Sequence, residues 1–418
     1  MKQSKPQSSF SPRRILLAVT LLLLALALLI PRFASPLPRL LQLTHHLRPF
    51  SSSSTHTTNN MAAYAKELQV AQAAVQRASI LTRRVFHEKA KGTVDKNDKS
   101  PVTIGDFGAQ ALIIAALRHN FPEDEIVAEE EAAQLREDGG LKQTIWELVE
   151  KAKLEDKDAE EGLLGGPIKS AEDMLELIDR GASKGGASGR IWAIDPIDGT
   201  KGFLRGGQYA VCLALMVDGK VQVGVLGCPN LPISDTARLT SSMADNQSDS
   251  SDHGVLFSAV LGQGATSRPL TASSSSDSDA KSISMRTVDD LSQATFCESV
   301  EAGHSSHGDQ FEIAKKLGIT RESVRMDSQA KYGSIARGAG DIYLRLPVKA
   351  TYQEKIWDHA AGDLIVREAG GEVTDIHGKN LDFSVGRTLA NNKGVVAAPK
   401  AVHGKVLEAV QEVLGAKQ

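Results

Sequence analysis

A short apolar run followed by a pair of aspartates constrains this chain more than any other stretch. Residues 191–194 read Ile-Trp-Ala-Ile, and residues 195–200 read Asp-Pro-Ile-Asp-Gly-Thr. The apolar run predicts a buried strand, and the Pro and Gly that follow predict a turn at its end. On such a turn the carboxylates of Asp195 and Asp198 can point at one spot. Crowded carboxylates repel one another unless a cation lies between them, and hard oxygen donors suit Mg²⁺.

The two residues after the second aspartate suit an anion. Gly199 and Thr200 can present backbone N–H groups and a hydroxyl to phosphate oxygens. A metal on one side and anion donors on the other predict metal-assisted phosphate chemistry. An ordinary surface turn is the alternative, because this spacing is common there. An EF-hand is excluded, since its third position would be Ile197 and its twelfth Gly206, where an oxygen ligand and a Glu are needed.

Composition narrows the class of protein. The chain has 418 residues, ample length for a core, and its formal net charge of -3 gives no overall bias towards nucleic acid or membranes. Aromatic residues make up only 5%, which argues against a stacking surface for single-stranded nucleic acid. Cys212, Cys228 and Cys297 are too few and too widely spaced for a disulfide framework or a zinc site. Composition therefore gives no indication of a nucleic-acid partner. Independently of composition, we expect a small-molecule substrate and a monomer.

The N-terminal part differs sharply from the rest. No acidic residue precedes Glu67, and basic residues precede an apolar run from Ile15 to Ile30. As a helix this run would span about 24 Å, short of the roughly 30 Å hydrocarbon core of a bilayer. Arg14 and Arg32 can snorkel and rescue a short span. A signal anchor, a cleaved signal peptide and a mitochondrial presequence all remain open.

A polar segment separates this region from a folded pattern. Residues 51–60 read Ser-Ser-Ser-Ser-Thr-His-Thr-Thr-Asn-Asn, which is typical of a flexible linker. We expect residues 1–60 to be a targeting or anchor segment that brings residues 15–30 to a membrane or the chain to mitochondria. Residues 61–418 are expected to form the catalytic domain, with lobes of about 61–290 and 291–418. Translation from Met61 would instead yield a cytoplasmic protein.

The remaining periodicity predicts alternating helices and strands. Predicted helices cover 64–89, 107–120, 354–370 and 401–414, and predicted strands cover 126–128, 255–260, 342–346, 371–374 and 394–398. Asp218-Gly219 predicts a hairpin within 211–226. Residues 135–189 predict short helices on a surface insertion, with Trp146, Leu148, Leu175 and Ile178 as their apolar positions. The Ser- and Asp-rich stretches 241–252 and 271–284 predict disordered loops.

Three further acids fall at ends of predicted elements. Asp106 opens a helix, Glu129 ends a strand, and Asp358 opens the helix that closes at Gly370 and Gly371. Each has an ordinary structural alternative. Asp106 can cap its helix, and the acidic run that begins at Glu129 can be a solvated face. Taken together with the two aspartates of the opening motif, they predict one multi-carboxylate site.

This order of motifs resembles the lithium-sensitive, magnesium-dependent phosphatase superfamily, which includes inositol monophosphatase and fructose-1,6-bisphosphatase. The resemblance runs from about residue 62 to the C-terminus. Its signatures are the motif at 195–200 and Trp-Asp-x-Ala-Ala-Gly at 357–362, followed by Glu-Ala-Gly-Gly at 368–371. It implies an α/β (α+β) fold, the layered αβαβα sugar-phosphatase fold, with a metal site between two lobes. Ala128 stands where the family often has Gly before the metal-binding Glu.

Within this superfamily the chain is most similar to the 3'(2'),5'-bisphosphate nucleotidases. Residues 97–103, 303–307, 327–332 and 343–347 carry that similarity. It implies that two or three Mg²⁺ bind Glu129, Asp195, Asp198, Asp358 and the Ile197 carbonyl. It implies that Asp106 and Thr200 orient and deprotonate the attacking water. The residues implied to contact the substrate are Gly199, Thr200, His304, Ser328, Lys331, Arg345 and Asp358.

Physical reasoning supports the same assignment of metal-binding, water-activating and substrate-binding residues. Phosphoryl transfer needs charge neutralisation and in-line geometry, and two metals about 4 Å apart can activate water and stabilise the leaving oxygen. A Thr200 hydroxyl bonded to Asp106 would relay the proton of that water. Lys331 and Arg345 suit a second phosphate, although each alone is equally consistent with a surface cation. His304 can bind the phosphate or stack on the base, and a His304–His307 metal pair is the alternative.

The function implied is hydrolysis of the 3'-phosphate of adenosine 3',5'-bisphosphate to AMP. Its sulfated precursor, 3'-phosphoadenylyl sulfate, is a further expected substrate, which would link the chain to sulfate assimilation and to lithium and sodium sensitivity. An inositol polyphosphate or monophosphate phosphatase is the alternative enzyme. A membrane-anchored phosphate-binding protein without catalysis is the alternative of another class.

Overall fold

The computed structural model describes residues 63–88, 93–95, 101–234, 237–240, 252–272, 279–349 and 351–415. The predictions for the apolar run 15–30, the linker 51–60 and a start at Met61 lie outside these residues. So do most of the motif segment 97–103 and nearly all of the predicted loop 241–252. Within the described residues, no helix has the length and apolar character needed to cross a membrane.

The larger sheet has seven strands in the order β3-β4-β5-β6-β7-β8-β9. β3 and β4 are parallel, and every other neighbouring pair is antiparallel. Its strands are β3 (Glu125–Ala128), β4 (Arg190–Asp198), β5 (Ala210–Val217), β6 (Lys220–Pro232), β7 (His253–Val260), β8 (Ala265–Pro269) and β9 (Lys281–Ile283). A separate two-stranded sheet pairs β1 (Thr93–Asp95) with β2 (Pro101–Thr103).

The hairpin predicted at Asp218-Gly219 is confirmed, since these two residues join β5 to β6. Asp218 has a φ of 49° and Gly219 a φ of 72°. Two consecutive left-handed residues match the right-handed twist of the flanking strands, which is why Asp-Gly suits this position.

Both faces of the larger sheet are buried, because side chains of one strand point alternately to opposite faces. In β4, Trp192 and Ile194 pack with helices Ala65–His87 and Ile104–Asn120. Ile191 and Ala193 face the other way and pack with helix Ala360–Glu368. Burial on both faces explains why this strand reads as a continuous apolar run in the sequence.

The smaller sheet has five strands in the order β11-β10-β12-β14-β13. Its strands are β10 (Phe296–Glu298), β11 (Val324–Arg325), β12 (Ile342–Arg345), β13 (Gly371–Thr374) and β14 (Val395–Pro399). Helices Ala330–Ala336 and Ala360–Glu368 lie in one core with residues of both sheets. Helices His307–Lys316 and Lys400–Gly415 pack on the opposite face of the smaller sheet. The order helix, sheet, helix, sheet, helix confirms the predicted αβαβα layers.

The region 135–189 is part of the core, contrary to the predicted surface insertion. It contains helices Ala133–Glu137, Gly139–Lys151 and Ala171–Asp179, and a π-helical turn at Asp158–Leu163. Leu148, Leu175 and Ile178 are buried and pack against residues of helices Ala65–His87 and Ile104–Asn120. Trp146 packs against the same core but is only partly buried. The amphipathic spacing therefore predicted these short helices correctly, but the high charge of the exposed faces concealed how much of the opposite faces is buried.

The three largest differences from the predicted element boundaries concern β4, helix Ala360–Glu368 and β9. β4 continues to Asp198 with a shift of register between Asp195 and Asp198, because Pro196 cannot donate to the ladder and a bulge accommodates it. The helix predicted from residue 354 begins only at Ala360, after a 3₁₀ turn at Ile356–Asp358. Residues 281–283, predicted as part of a loop, pair with β8 as an edge strand despite their polar composition.

Candidate active site

The ends of several elements meet around one polar pocket. Its lining residues are Glu129, Asp195, Ile197, Asp198, Gly199, Thr200, Lys201, Ser299, His304, Asp327, Ser328, Gln329, Lys331, Tyr343, Arg345, Tyr352 and Asp358. Every residue predicted to bind metal is present, and so is every residue predicted to contact the substrate. Asp106 is the one predicted site residue outside this lining. The pocket thus joins residues from the end of the larger sheet to residues more than a hundred positions later in the chain.

Asp195 shows most clearly why this pocket needs a cation. The residue is 2% exposed, and its Oδ1 has no hydrogen-bond partner among the described residues. Burial raises the pKa of Asp195 well above its ordinary value, and the charges of Glu129, Asp198, Asp358 and Asp106 raise it further. A buried carboxylate without a partner is costly, whereas a hard divalent cation would satisfy it.

The pKa values of Asp198 and Asp358 are raised in the same way. Burial raises the pKa of Asp198 to about 6, although Lys331 and Arg345 act in the opposite direction. Burial raises the pKa of Asp358 well above its usual range, and the charge of Asp198 adds to that effect. Crowded, partly buried acids of this kind repel one another, and a cation lying between them relieves that repulsion. This donor set of carboxylate oxygens fits Mg²⁺.

Asp106 lies behind the pocket wall at the start of helix Ile104–Asn120. The residue is 1% exposed, and its Oδ2 accepts hydrogen bonds from the Thr103 hydroxyl at 2.5 Å and the Thr103 backbone N–H at 2.9 Å. The bond from the backbone N–H is one half of a capping box in which Thr103 is the N-cap and Asp106 the third helical residue, so Asp106 does contribute to capping its helix. Its charge still reaches the site, since it contributes to the raised pKa of Asp195.

The Thr200 hydroxyl donates to the Ile197 carbonyl at 3.2 Å. The relay from Thr200 to Asp106 therefore stays a prediction. Helix Thr200–Arg205 is only six residues long. Anion binding at the start of this helix thus depends on the individual backbone amides of Gly199 and Thr200 more than on a helix dipole.

Gly199 is required by two features of the structure. Its φ of +86° is a left-handed conformation that other residues adopt at a cost. A Cβ atom at this position would lie 3.0 Å from the Ser328 Cβ and 3.2 Å from the Ser328 backbone nitrogen. The end of β4 can therefore approach the loop before helix Ala330–Ala336 only because residue 199 has no side chain.

We expect Gly199→Ala to destabilise the protein more than Gly318→Ala does. Gly318 has a φ of +70° but open space around its Cβ position, so its replacement isolates the cost of the backbone conformation. That cost is about 1–2 kcal/mol, and Gly199→Ala adds the clash with Ser328. Urea unfolding monitored by circular dichroism gives both free energies. Equal losses for the two variants would show that the close approach is unimportant.

Two cations form the other side of the pocket, and neither is an ordinary surface residue. Lys331 is 3% exposed, and its Nζ donates to the carbonyls of Ser328 at 2.8 Å and Met326 at 3.1 Å. Burial lowers the pKa of Lys331 to about 8. The Arg345 Nε lies 2.7 Å from Glu354 Oε2, and both side chains are nearly buried. Both cations are thus held in fixed positions that face the acidic side.

The histidines of segment 303–307 have separate positions. His304 stands at the pocket rim, where partial burial and the charges of Arg345, Lys201 and Lys331 lower its pKa to about 4. His307 instead bonds through Nε2 to the Ser299 carbonyl at 2.9 Å. This bond engages one ring nitrogen of His307, and the alternative of a His304–His307 metal pair stays a prediction. A neutral His304 can hydrogen-bond to a substrate without adding charge.

Several lining residues were missed by sequence reasoning. Asp327 and Gln329 lie within the motif segment 327–332, so their position in it was the available signal. Lys201 and Ser299 carry no such signal, because a single polar residue in a short helix or a loop belongs to no repeating pattern. Tyr352 is half exposed at the pocket mouth, where the Arg345 guanidinium carbon lies 5.9 Å from the centre of its ring.

An acidic half that suits divalent cations and a basic half that suits anions define the site of a phosphoric monoester hydrolase. The sequence model of the inositol monophosphatase family matches residues 63–414, and the chain belongs to this family. This result confirms the resemblance stated from the motifs.

Two relatives within this family are much more similar to the chain than the family model alone requires. The 3'(2'),5'-bisphosphate nucleotidase of Emericella nidulans is 67% identical over 351 residues, covering 84% of this chain and 99% of the relative. The 3'(2'),5'-bisphosphate nucleotidase of Schizosaccharomyces pombe is 51% identical over 352 residues, covering 83% of this chain and 95% of the relative. Among solved structures, the Thermotoga maritima IMPase has a TM-score of 0.52 at 19% identity, covering 84% of this chain and 98% of its own. That likeness shows a common fold.

Proposed function

We propose that this protein hydrolyses the 3'-phosphate of adenosine 3',5'-bisphosphate and releases AMP and inorganic phosphate. The proposal depends on one observation: buried Lys331 and nearly buried Arg345 share one pocket with the carboxylates. A single phosphate would be held on the acidic side by metal. A second phosphate on the same molecule needs fixed positive charge away from it, and these two residues supply that charge. The names of the relatives support the same substrate.

The residues fit two or three Mg²⁺, for which Glu129, Asp195, Asp198, Asp358 and the Ile197 carbonyl would be ligands. Bound there, the ions would lower the pKa of a water molecule and offset charge on the phosphate. The assignment of these ligands is part of the proposal. It is supported by their convergence on one pocket and by the buried Asp195 carboxylate, whose Oδ1 has no hydrogen-bond partner among the described residues.

The chain itself orients the reactants. In the proposed reaction the oxygen of a water attacks phosphorus, the bond to the ribose 3' oxygen breaks, and that oxygen takes up a proton. Asp106 and Thr200 orient the water and accept its proton. The amides of Gly199 and Thr200 bind oxygens of the reacting phosphate. His304, Ser328, Lys331 and Arg345 hold the rest of the nucleotide, so the 3' bond is the one that faces the acidic side.

Product identity tests the proposed regiochemistry. Adenosine 3',5'-bisphosphate is incubated with the full-length protein and Mg²⁺, and the nucleoside monophosphates are separated by anion-exchange chromatography. Adenosine 5'-monophosphate as the product supports the proposed orientation. Adenosine 3'-monophosphate would show that the pocket binds the nucleotide the other way round. The same assay with 3'-phosphoadenylyl sulfate tests the proposed second substrate, which keeps an anionic group at the 5' position.

The lowered pKa of Lys331 predicts a pH dependence of substrate binding. Its ammonium is charged below a pKa of about 8 and neutral above it, so binding of the 5'-phosphate weakens as pH rises. We expect KM to increase above that pH by up to about tenfold per unit. In Lys331→Arg the rise should be lost, because a guanidinium stays charged throughout this range. Initial rates between pH 7 and pH 9.5 measure both profiles, and identical profiles would assign the effect to another group.

A further inference from the structure

One buried glutamine contacts both Asp198 and the segment that carries Asp358. Gln329 is 1% exposed and immediately precedes helix Ala330–Ala336. Its backbone N–H donates to Asp198 Oδ2, at the end of β4. Its side-chain Nε2 donates to the Trp357 carbonyl at 2.8 Å, and its Oε1 accepts from the Gly362 N–H at 2.9 Å. Both of these side-chain hydrogen bonds are therefore directed at the segment that carries Asp358.

The two backbone groups that Gln329 pairs lie on either side of Asp358. The Trp357 carbonyl belongs to the residue directly before it, in the 3₁₀ turn Ile356–Asp358. The Gly362 N–H lies in the first turn of the next helix, where backbone N–H groups have no intrahelical partner. Since both groups are buried, they need a partner supplied from elsewhere. The Gln329 amide therefore fixes the segment on both sides of the Asp358 carboxylate.

Close packing leaves these segments little freedom to adjust. A Cβ atom at residue 362 would lie only 2.3 Å from a ring atom of Tyr332. On the other side, the position of a Cβ at residue 199 is only 3.0 Å from the Ser328 Cβ. Residues 328–332 are thus packed tightly between the end of β4 and helix Ala360–Glu368, and Gln329 belongs to this packed segment.

We propose that Gln329 is a positioning residue that sets the spacing between the carboxylates of Asp198 and Asp358, and thereby the affinity of the site for Mg²⁺. This inference rests on the metal site of the proposed function. Asp198 ends a strand of the larger sheet, whereas Asp358 lies in a turn more than 150 positions later that packs against that strand, so their separation depends on tertiary contacts. Gln329 bonds to the first carboxylate directly and to the neighbours of the second.

The test compares two buried glutamines. Gln329→Met keeps the approximate volume and the backbone N–H to Asp198 but removes both side-chain bonds. Gln76→Met is the matched control, since Gln76 is 8% exposed and its Nε2 donates to the Ala272 carbonyl at 2.7 Å, outside the pocket lining. Mg²⁺ is titrated into full-length protein without substrate, by calorimetry and by the Mg²⁺-dependent rise in unfolding temperature.

We expect the Mg²⁺ dissociation constant of Gln329→Met to be about 10–100-fold above that of the wild type, the range found when partners of metal ligands are removed. Gln76→Met should bind Mg²⁺ like the wild type, even if its unfolding temperature falls. A purely structural role would lower the unfolding temperature of both variants and change neither dissociation constant. Normal Mg²⁺ affinity in Gln329→Met overturns the inference.

A second variant covers the case in which Gln329→Met does not fold. Gln329→Asn keeps an uncharged amide but is one methylene shorter, so it cannot reach Trp357 and Gly362 together, and we expect weaker Mg²⁺ binding there too. Unchanged affinity in a folded Gln329→Asn protein contradicts the inference alone. A wild-type protein that binds no Mg²⁺ contradicts both this inference and the metal site of the proposed function.

Discussion

Replacing Asp198 by asparagine is expected to abolish phosphate release with little loss of fold. Asp198 lies partly buried among other acids, and this burial raises its pKa to about 6 because the ionised form is unfavourable there. An amide of the same shape relieves that repulsion in the absence of metal, so the folded protein should be as stable as the wild type or more so. The same amide cannot supply the negative charge that holds a divalent cation.

We expect kcat to fall by about a thousandfold, which corresponds to roughly 4 kcal/mol of transition-state stabilisation. Asp363→Asn is the matched control. Asp363 is also buried and its pKa is also raised by burial, but it pairs with Arg367 on helix Ala360–Glu368 outside the pocket lining. Phosphate release and thermal unfolding are measured for both variants. Full activity in Asp198→Asn would refute the metal assignment.

Replacing Arg345 by methionine is expected to remove preference for a second phosphate. The guanidinium is held by Glu354 at 2.7 Å in a nearly buried ion pair, so its position is defined before substrate arrives. A hydrogen bond to a charged group contributes about 1.5–3 kcal/mol, which predicts a loss of roughly 10–150-fold in kcat/KM for adenosine 3',5'-bisphosphate. Adenosine 3'-monophosphate lacks the second phosphate, and its kcat/KM should change little.

Arg325→Met controls for the loss of positive charge. Arg325 pairs with Glu298, is largely exposed and lies outside the pocket lining. We expect it to leave the ratio of the two kcat/KM values unchanged. If Arg345→Met lowered kcat/KM equally for the bisphosphate and the monophosphate, Arg345 would act on the reacting phosphate or on the fold, and its assignment to the second phosphate would be wrong.

Periodicity predicted the elements well where one face of an element is apolar. The first long helix was expected over 64–89 and covers Ala65–His87, and the strand expected over 255–260 covers His253–Val260. Predictions were poorer where a single residue decides the backbone. Pro196 looked like the start of a turn, yet the larger sheet continues past it through a bulge. Ser and Asp composition likewise concealed β9, whose edge pairing depends on backbone groups alone.

The acidic side of the site could be predicted because its carboxylates follow strand and turn signals in the sequence. The basic side could be located only through the resemblance, since an isolated Lys331 or Arg345 has an equally good interpretation as a surface residue. Their burial is a tertiary property that arises when the two sheets pack on the helices between them. The roles of Glu354 and Gln329 escaped prediction for the same reason, because Glu354 meets Arg345, and Gln329 meets the backbone of Trp357 and Gly362, only in the folded chain.

The most direct test of the central claim compares substrates on the purified full-length protein. Phosphate release is measured with Mg²⁺ for adenosine 3',5'-bisphosphate and for inositol monophosphate at equal concentrations. The pocket described here, with carboxylates on one side and Lys331 and Arg345 on the other, predicts a clear preference for the bisphosphate. A clear preference for inositol monophosphate would contradict it.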